Sequence, residues 1–439
     1  MTMFLLSTPV TLAKDAFTNG QSASIVIGQK DFTASTHATT ESGLGAPREV
    51  KFDSSGNLWV ADSDNNRVLE FKPPFSSGMD ASLVIGQASF VTSAPATTQS
   101  GLSNPGGVWS GPADLAFDSS GNLWVSDIGN SRVLEFKPPF SNGMPASLVI
   151  GQSDFTTFAP MLTQNGLGFP NALAFDPSGN LWVSSWSSSR VLEFRPPFSN
   201  GMNASLVIGQ ADFTTSGIGR TQTGLNTPTR LAFDPSGNLW VGDTGNNRVL
   251  EFKPPFSNGM PASLVIGQSD FTTTAALLPT KHSLSGSSGS DNPVFSVSFD
   301  SAGNLWVGDC LNNRVLEFEP PFSTGMDASL VIGQNDFTSR ISSTTQAGLG
   351  CPLSSFDSAG NMWVADFFNN RVLEFSSPGS SVTSTAASST TQTQSSQASA
   401  TATTTDQGFG QLQYAAVGAV AVVVVVGLVA VFLRRSKVR

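Results

Sequence analysis

Five aspartates, Asp62, Asp127, Asp243, Asp309 and Asp366, each stand five residues before an arginine, in a stretch that also carries asparagine. A carboxylate, an amide and a guanidinium gathered in one turn could hold a metal ion or move a proton. Their recurrence argues for a different task. Chemistry performed once does not need five copies, whereas a feature of a repeat must be present in each. In a further copy Ser185 replaces the aspartate and Ser188-Ser189 the asparagine pair, while Arg190 stays. This joint change predicts that the aspartate, together with the asparagine, holds the backbone amides of the turn, as turn-forming side chains do.

Other reactive side chains are scarce. The two cysteines, Cys310 and Cys351, and the two histidines, His37 and His282, cannot make a closed zinc set at the usual spacings. No catalytic residue and no cofactor is assigned, with axial calcium left as an open alternative. Charged residues are 12% of the 439 and the formal net charge is -10. Arg434, Arg435, Lys437 and Arg439 crowd the last six positions, leaving 18 basic against 32 acidic residues elsewhere. So acidic a body repels phosphate backbones, and nucleic acid is not an expected partner.

The elements that must position these residues come from one repeated sentence, whose best copy runs from Thr227 to Gln268. Trp59, Trp124, Trp182, Trp240, Trp306 and Trp363 mark a period of 57 to 66 residues. Within the best copy, Leu231 to Asp234, Asn238 to Val241, Arg248 to Phe252 and Ser263 to Ile266 read as four strands, with Gly237 in the first turn supplying a positive φ. Side chains alternate along a strand, so Leu239 and Val241 face one way and Trp240 the other. Sheets apolar on both sides must cover one another. With no helices available, stacking around an axis is the solution, and the fold class is an all-β, six-bladed β-propeller. The chain opens with a lone fourth strand, Ser22 to Gln29, and its last blade, ending at Phe375, lacks one. The opening strand is expected to complete the closing blade and remove two sheet edges.

The elements GNLWVAD (Gly56 to Asp62) and NNRVLEF (Asn65 to Phe71) resemble the NHL repeat family of β-propellers, over roughly Ser22 to Phe375. The resemblance implies a module for protein or RNA interaction, an extracellular sensor or, more rarely, a lyase. Lyases of the family use histidines, a tyrosine and an arginine around a metal. Here the single tyrosine is Tyr414, near the C-terminus, and both histidines lie between repeats.

Beyond the propeller, taken as 22–376 after an N-terminal arm or remnant signal segment at 1–21, the composition turns to serine, threonine, alanine and glutamine over 377–413. Such a segment cannot bury a core and reads as a stalk. Ala415 to Leu433 is an uncharged run of 19 residues, long enough for a transmembrane helix within 414–433. The basic tail 434–439 follows directly, so the positive-inside rule puts the C-terminus in the cytoplasm and the propeller outside a cell membrane. Met1 to Ala13 lacks the basic start and the apolar length of a good signal peptide.

Up-and-down strands gather the turns between second and third strands on one face, with the connections between blades. Those connections carry nearly all the length variation, which makes that face the expected binding surface. Glu49, Lys51, Asp114 and Arg230, on the first strands, are the candidate ligand contacts at the channel mouth. Cys310 and Cys351 should lie there in adjacent blades, as a disulfide or as two buried thiols. Asn203-Ala204-Ser205 offers one N-glycosylation site. The leading functional expectation is a membrane-anchored recognition protein for a protein, glycan or small ligand, tied to the bilayer by its C-terminal helix. The alternatives are a lyase or lactonase with an axial metal and a structural envelope component.

Overall fold

The computed structural model describes residues 17–103, 111–274, 278–285 and 295–377. The expected stalk, transmembrane helix and basic tail lie outside these, Ser377 apart, as does Met1 to Ala13. Among the described residues no helix is long and apolar enough to cross a membrane.

The described strands form six four-stranded antiparallel sheets, one per repeat. The fourth blade is typical, with strands Pro228–Phe233, Leu239–Asp243, Arg248–Phe252 and Leu264–Ile266 in consecutive order. One short 3-10 turn, Thr244–Asn246, links the second strand to the third, and Asn247 closes it in the left-handed region at φ 52 to 54°, like its equivalents in other blades that carry asparagine there. Asparagine tolerates that conformation better than most residues, which explains its place in the repeat.

Closure follows the expected route. The strand Ile25–Ile27 pairs antiparallel with Arg371–Phe375, joining Ile25 to Glu374 and Ile27 to Val372. Gln29 Nε2 then donates to the carbonyl of Asn370 at 2.7 Å, as Gln87 does to Asn66 within the first blade. The N-terminal strand thus occupies the same register in the last blade as a covalently continuous fourth strand does elsewhere.

Six apolar clusters fill the six spaces between blades. In one, Trp59, Ala61 and Val68 of the first blade meet Leu115, Leu123, Val125 and Leu134 of the second. In another, Trp363, Ala365 and Val372 of the sixth blade meet Val50, Leu58 and Val60 of the first, which seals the ring. The aspartate after each first strand positions the tryptophan. Asp53 Oδ1 accepts the amides of Ser55 and Asn57, and Oδ2 accepts Trp59 Nε1 at 3.0 Å. One carboxylate therefore shapes the turn and satisfies the indole N–H that burial would otherwise leave unpaired.

Candidate functional site

The recurrent Asp/Asn/Arg group is a buried clamp. Asp62 Oδ2 accepts Arg67 Nε at 2.7 Å and Asn65 Nδ2 at 2.9 Å, while Oδ1 accepts the amide of Gly45 at 2.6 Å. Arg67 donates onward to the carbonyls of Thr40 and Gly43 and to that of Phe90 in the connection leading out of its own blade. Asp127, Asp243, Asp309 and Asp366 make the same pair with Arg132, Arg248, Arg314 and Arg371. The amide held differs from the sequence expectation. It belongs to the segment entering the blade, 16 to 24 residues earlier, and not to the turn itself. Amides of the turn are taken by backbone carbonyls instead, that of Asp64 by Gly45 and that of Asn66 by Ser63.

The axis holds the second group of charges. Just after each strand-opening proline the first strands of blades one to four are irregular in register, and the carbonyls of Arg48, Ala113, Asn171 and Thr229 converge at the centre. Arg230 fills that point. Its Nη1 donates to the carbonyls of Asn171 and Thr229 at 3.0 Å and to Asn171 Oδ1 at 2.8 Å, and its Nη2 to those of Arg48 at 2.9 Å and Ala113 at 3.3 Å. Across the ring its Nε lies 3.4 Å from Glu49 Oε2, and Glu49 Oε1 in turn accepts Lys51 Nζ at 3.0 Å. Asp114 spends both oxygens on backbone amides, Leu115 at 2.7 Å and Leu173 of the next blade at 2.8 Å.

Glu49, Lys51, Asp114 and Arg230 therefore come together, and all but Lys51 are buried. Burial and repulsion from Glu49 raise the Asp114 carboxyl to about 6, against the pull of Lys51 and Arg230. Lys51 is desolvated, yet the attraction of Glu49 and Asp114 leaves its ammonium above the usual range. On the far side of the ring the charges give way to hydroxyls, with Ser354 Oγ 3.3 Å from both Ser296 and Ser298. Leu353, on the first strand of the sixth blade, packs into the apolar space between the sixth and first blades.

Arg48 went unremarked in the sequence. It sits 6% exposed at the mouth, 5.4 Å above the ring of Phe367, with no hydrogen-bond partner for Nε or Nη1. Burial and the nearby Arg230 lower it to about 10, with Asp64 opposing. The signal was present in its position. The residue after the strand-opening proline is alanine, asparagine or threonine in the next three blades, and arginine only in the first of these four. Around it, the first two residues of the 3-10 turns differ from blade to blade, including half-buried Trp186 and exposed Leu311 and Phe368.

Cys310, in the fifth such turn, is bonded to Cys351 at the entrance to the sixth blade, with Cα atoms 3.9 Å apart. Asn203 is exposed in the link between Arg190–Phe194 and Leu206–Ile208. His282 pairs with exposed Asp327 at 3.1 Å, and His37 lies against Gly45. Among the described residues no group of three or more His, Cys, Asp or Glu is placed to hold a metal ion. On the opposite face a groove between blades two and three is lined by Asp118, Glu135, Lys137, Phe175 and Pro197. Its residues recur from blade to blade.

The NHL repeat matches residues 225–252, in the fourth blade. The chain is 31% identical over 145 residues to the peptidyl-glycine alpha-amidating monooxygenase of Mus musculus, and 29% to that of Rattus norvegicus, covering 32% of this chain and 14% of each relative. It thus spans about a seventh of the length of the curated relatives it matches. Among solved structures it is similar to a streptogramin B lyase, 11% identical with a TM-score of 0.42, over 78% of this chain and 95% of that one. It is similar also to an auxiliary nutrient binding protein of Bacteroides ovatus, 11% identical with a TM-score of 0.47, over 82% and 77%. The chain is a six-bladed propeller, and one of its blades matches the NHL repeat.

Proposed function

We propose that the chain is a recognition module whose ligand docks at the channel mouth, on the face of the 3-10 turns, and that a C-terminal helix holds it outside a membrane. One observation carries the reading. The axial charges are spent on one another and on the backbone, Arg230 on four carbonyls, Asp114 on two amides and Glu49 on two cations. Groups so engaged are poor candidates for moving protons or attacking a substrate. What differs between blades is the rim, where Arg48 retains unpartnered donors beside Phe367 and Phe368. An arginine over half-buried Phe367, with exposed Phe368 beside that ring, has the composition of binding hot spots.

The relatives named as a monooxygenase and a lyase lend no activity here, since the matched part is short or the likeness weak. Positive charge after residue 433 and the serine- and threonine-rich stretch before residue 414 support the outward orientation. The test is capture from peptide and glycan arrays by the purified chain and by two variants. Arg48→Ala with Phe368→Ser should lose at least tenfold in binding, whereas Lys137→Ala, in the groove on the other face, should not. Binding lost through Lys137 and kept without Arg48 would place recognition on the opposite side. Carbohydrate attached at Asn203 in the native cell would support the proposed orientation.

A further inference from the structure

In the third blade the clamp is incomplete. Arg190 keeps the contacts of its counterparts, donating to the carbonyls of Thr163 and Gly166 at 3.0 Å and to that of Phe213. Its side chain is fully buried, yet Nε has no partner. In the other five blades that Nε meets a carboxylate oxygen at 2.7 to 2.9 Å. Ser185 stands where the aspartate would be, and its single hydroxyl is engaged with Gly168, accepting from the amide at 2.9 Å and facing the carbonyl at 3.1 Å. It thereby replaces the oxygen that holds the entering segment. Nothing replaces the second oxygen, which elsewhere receives both the guanidinium and the asparagine amide. The asparagine is also shortened, to Ser188, and the hydroxyls of Ser187 and Ser188 lie close beside Gly168.

We infer that this corner binds a small inorganic anion of halide size, seated where the other blades hold the second carboxylate oxygen and held by Arg190 Nε. The sequence change removes one negative charge and the bulk of two side chains, while the buried cation stays. An uncompensated charge away from water is costly, and a neutral water molecule would satisfy the N–H without offsetting the charge. Desolvation lowers the Arg190 guanidinium to about 10, so it stays protonated at neutral pH and needs a counter-ion. Burial of Ser185, Ser188 and Arg190 leaves no route for the carboxylate of a bulky organic ligand, whereas exposed Ser187 beside them gives a bare ion an entry. The other five blades serve as internal controls, because their sites are already filled by the chain's own carboxylate.

The test is thermal unfolding of the full-length chain, followed by tryptophan fluorescence, while chloride replaces gluconate at constant ionic strength. Chloride should raise the midpoint of the wild-type chain in a saturable manner, by linkage to the folded state. Ser185→Asp, and Ser185→Asp with Ser188→Asn to restore the full clamp, should abolish that response and match or exceed the chloride-saturated wild type. Ser185→Ala keeps the arginine and the space and should keep the response. Bromide in crystals should give an anomalous peak beside Arg190 Nε and none beside Arg67, Arg132, Arg248, Arg314 or Arg371. Equal chloride responses in the wild type and the restored clamp, or a water without anomalous signal at Nε, would overturn the inference.

Discussion

Arg230 brings a fixed cation to the point where carbonyl oxygens from four blades converge. Such a ring of oxygens beside a carboxylate would otherwise suit a hard divalent ion. Replacing Arg230 with alanine leaves Glu49 with Lys51 alone and the carbonyls without a donor, so we expect a loss of roughly 3–5 kcal/mol in chemical unfolding. Calcium should restore part of that loss in the variant and leave the wild type unmoved. Asp114 supplies a pH signature. Its folded value of about 6 lies above the ordinary 3.8, so between these values the folded state binds the extra proton. Stability contributed by that proton is present at low pH and disappears as pH rises through about 6, amounting to about 3 kcal/mol at most. Asp114→Asn should flatten this part of the stability profile between pH 4 and 7. An unchanged difference between variant and wild type across that range would remove Asp114 from the account.

At the scale of the blade, the clamp explains why the buried arginine recurs in all six blades and its aspartate in five. Each arginine ties the connection entering its blade to the one leaving it, through carbonyls that have no strand partner. The aspartate makes the arginine tolerable in the interior. Asp243→Ala therefore removes one partner of a buried pair and exposes Arg248 to the full cost of desolvation, with about 3–5 kcal/mol expected in denaturant unfolding. A cost below 1 kcal/mol would mean that water reaches the site freely. The tryptophan bracket works in the same way from the other face, since Asp53 and its equivalents pin the ring that fills each space between blades.

For the whole molecule the decisive contact is between the two ends of the propeller. Val26 and Ile27 are fully buried, and Gln29 and the carbonyl of Phe32 take up Asn370 and Arg371. Removing residues 1–29 should expose the edge of Arg371–Phe375 and the apolar space beside Trp306 and Trp363. We expect a lower, broader unfolding transition and association visible by light scattering. A variant as cooperative and as monomeric as the intact chain would contradict closure by this strand.

Blade number, strand order and closure were legible in the sequence because each rests on local periodicity and on a repeat that counts itself. The tryptophans mark the blades, alternation marks two apolar faces, and the displaced fourth strand, Ser22 to Gln29, completes the last blade. Glu49, Lys51, Asp114 and Arg230 could be placed near one axis by the same reasoning, since equivalent positions in a ring converge. Their bonds could not. That Arg230 reaches backbone carbonyls of four blades depends on a small irregularity after each proline, and backbone carbonyls carry no residue-specific trace in a sequence. Arg48 escaped notice because a single arginine on the surface and one held 6% exposed over a phenylalanine look alike until the turn of the neighbouring blade is in place. The substitution at Ser185 was visible from the start, but its consequence was not. Only packing decides whether an arginine that has lost its aspartate turns to water or stays buried in need of an ion.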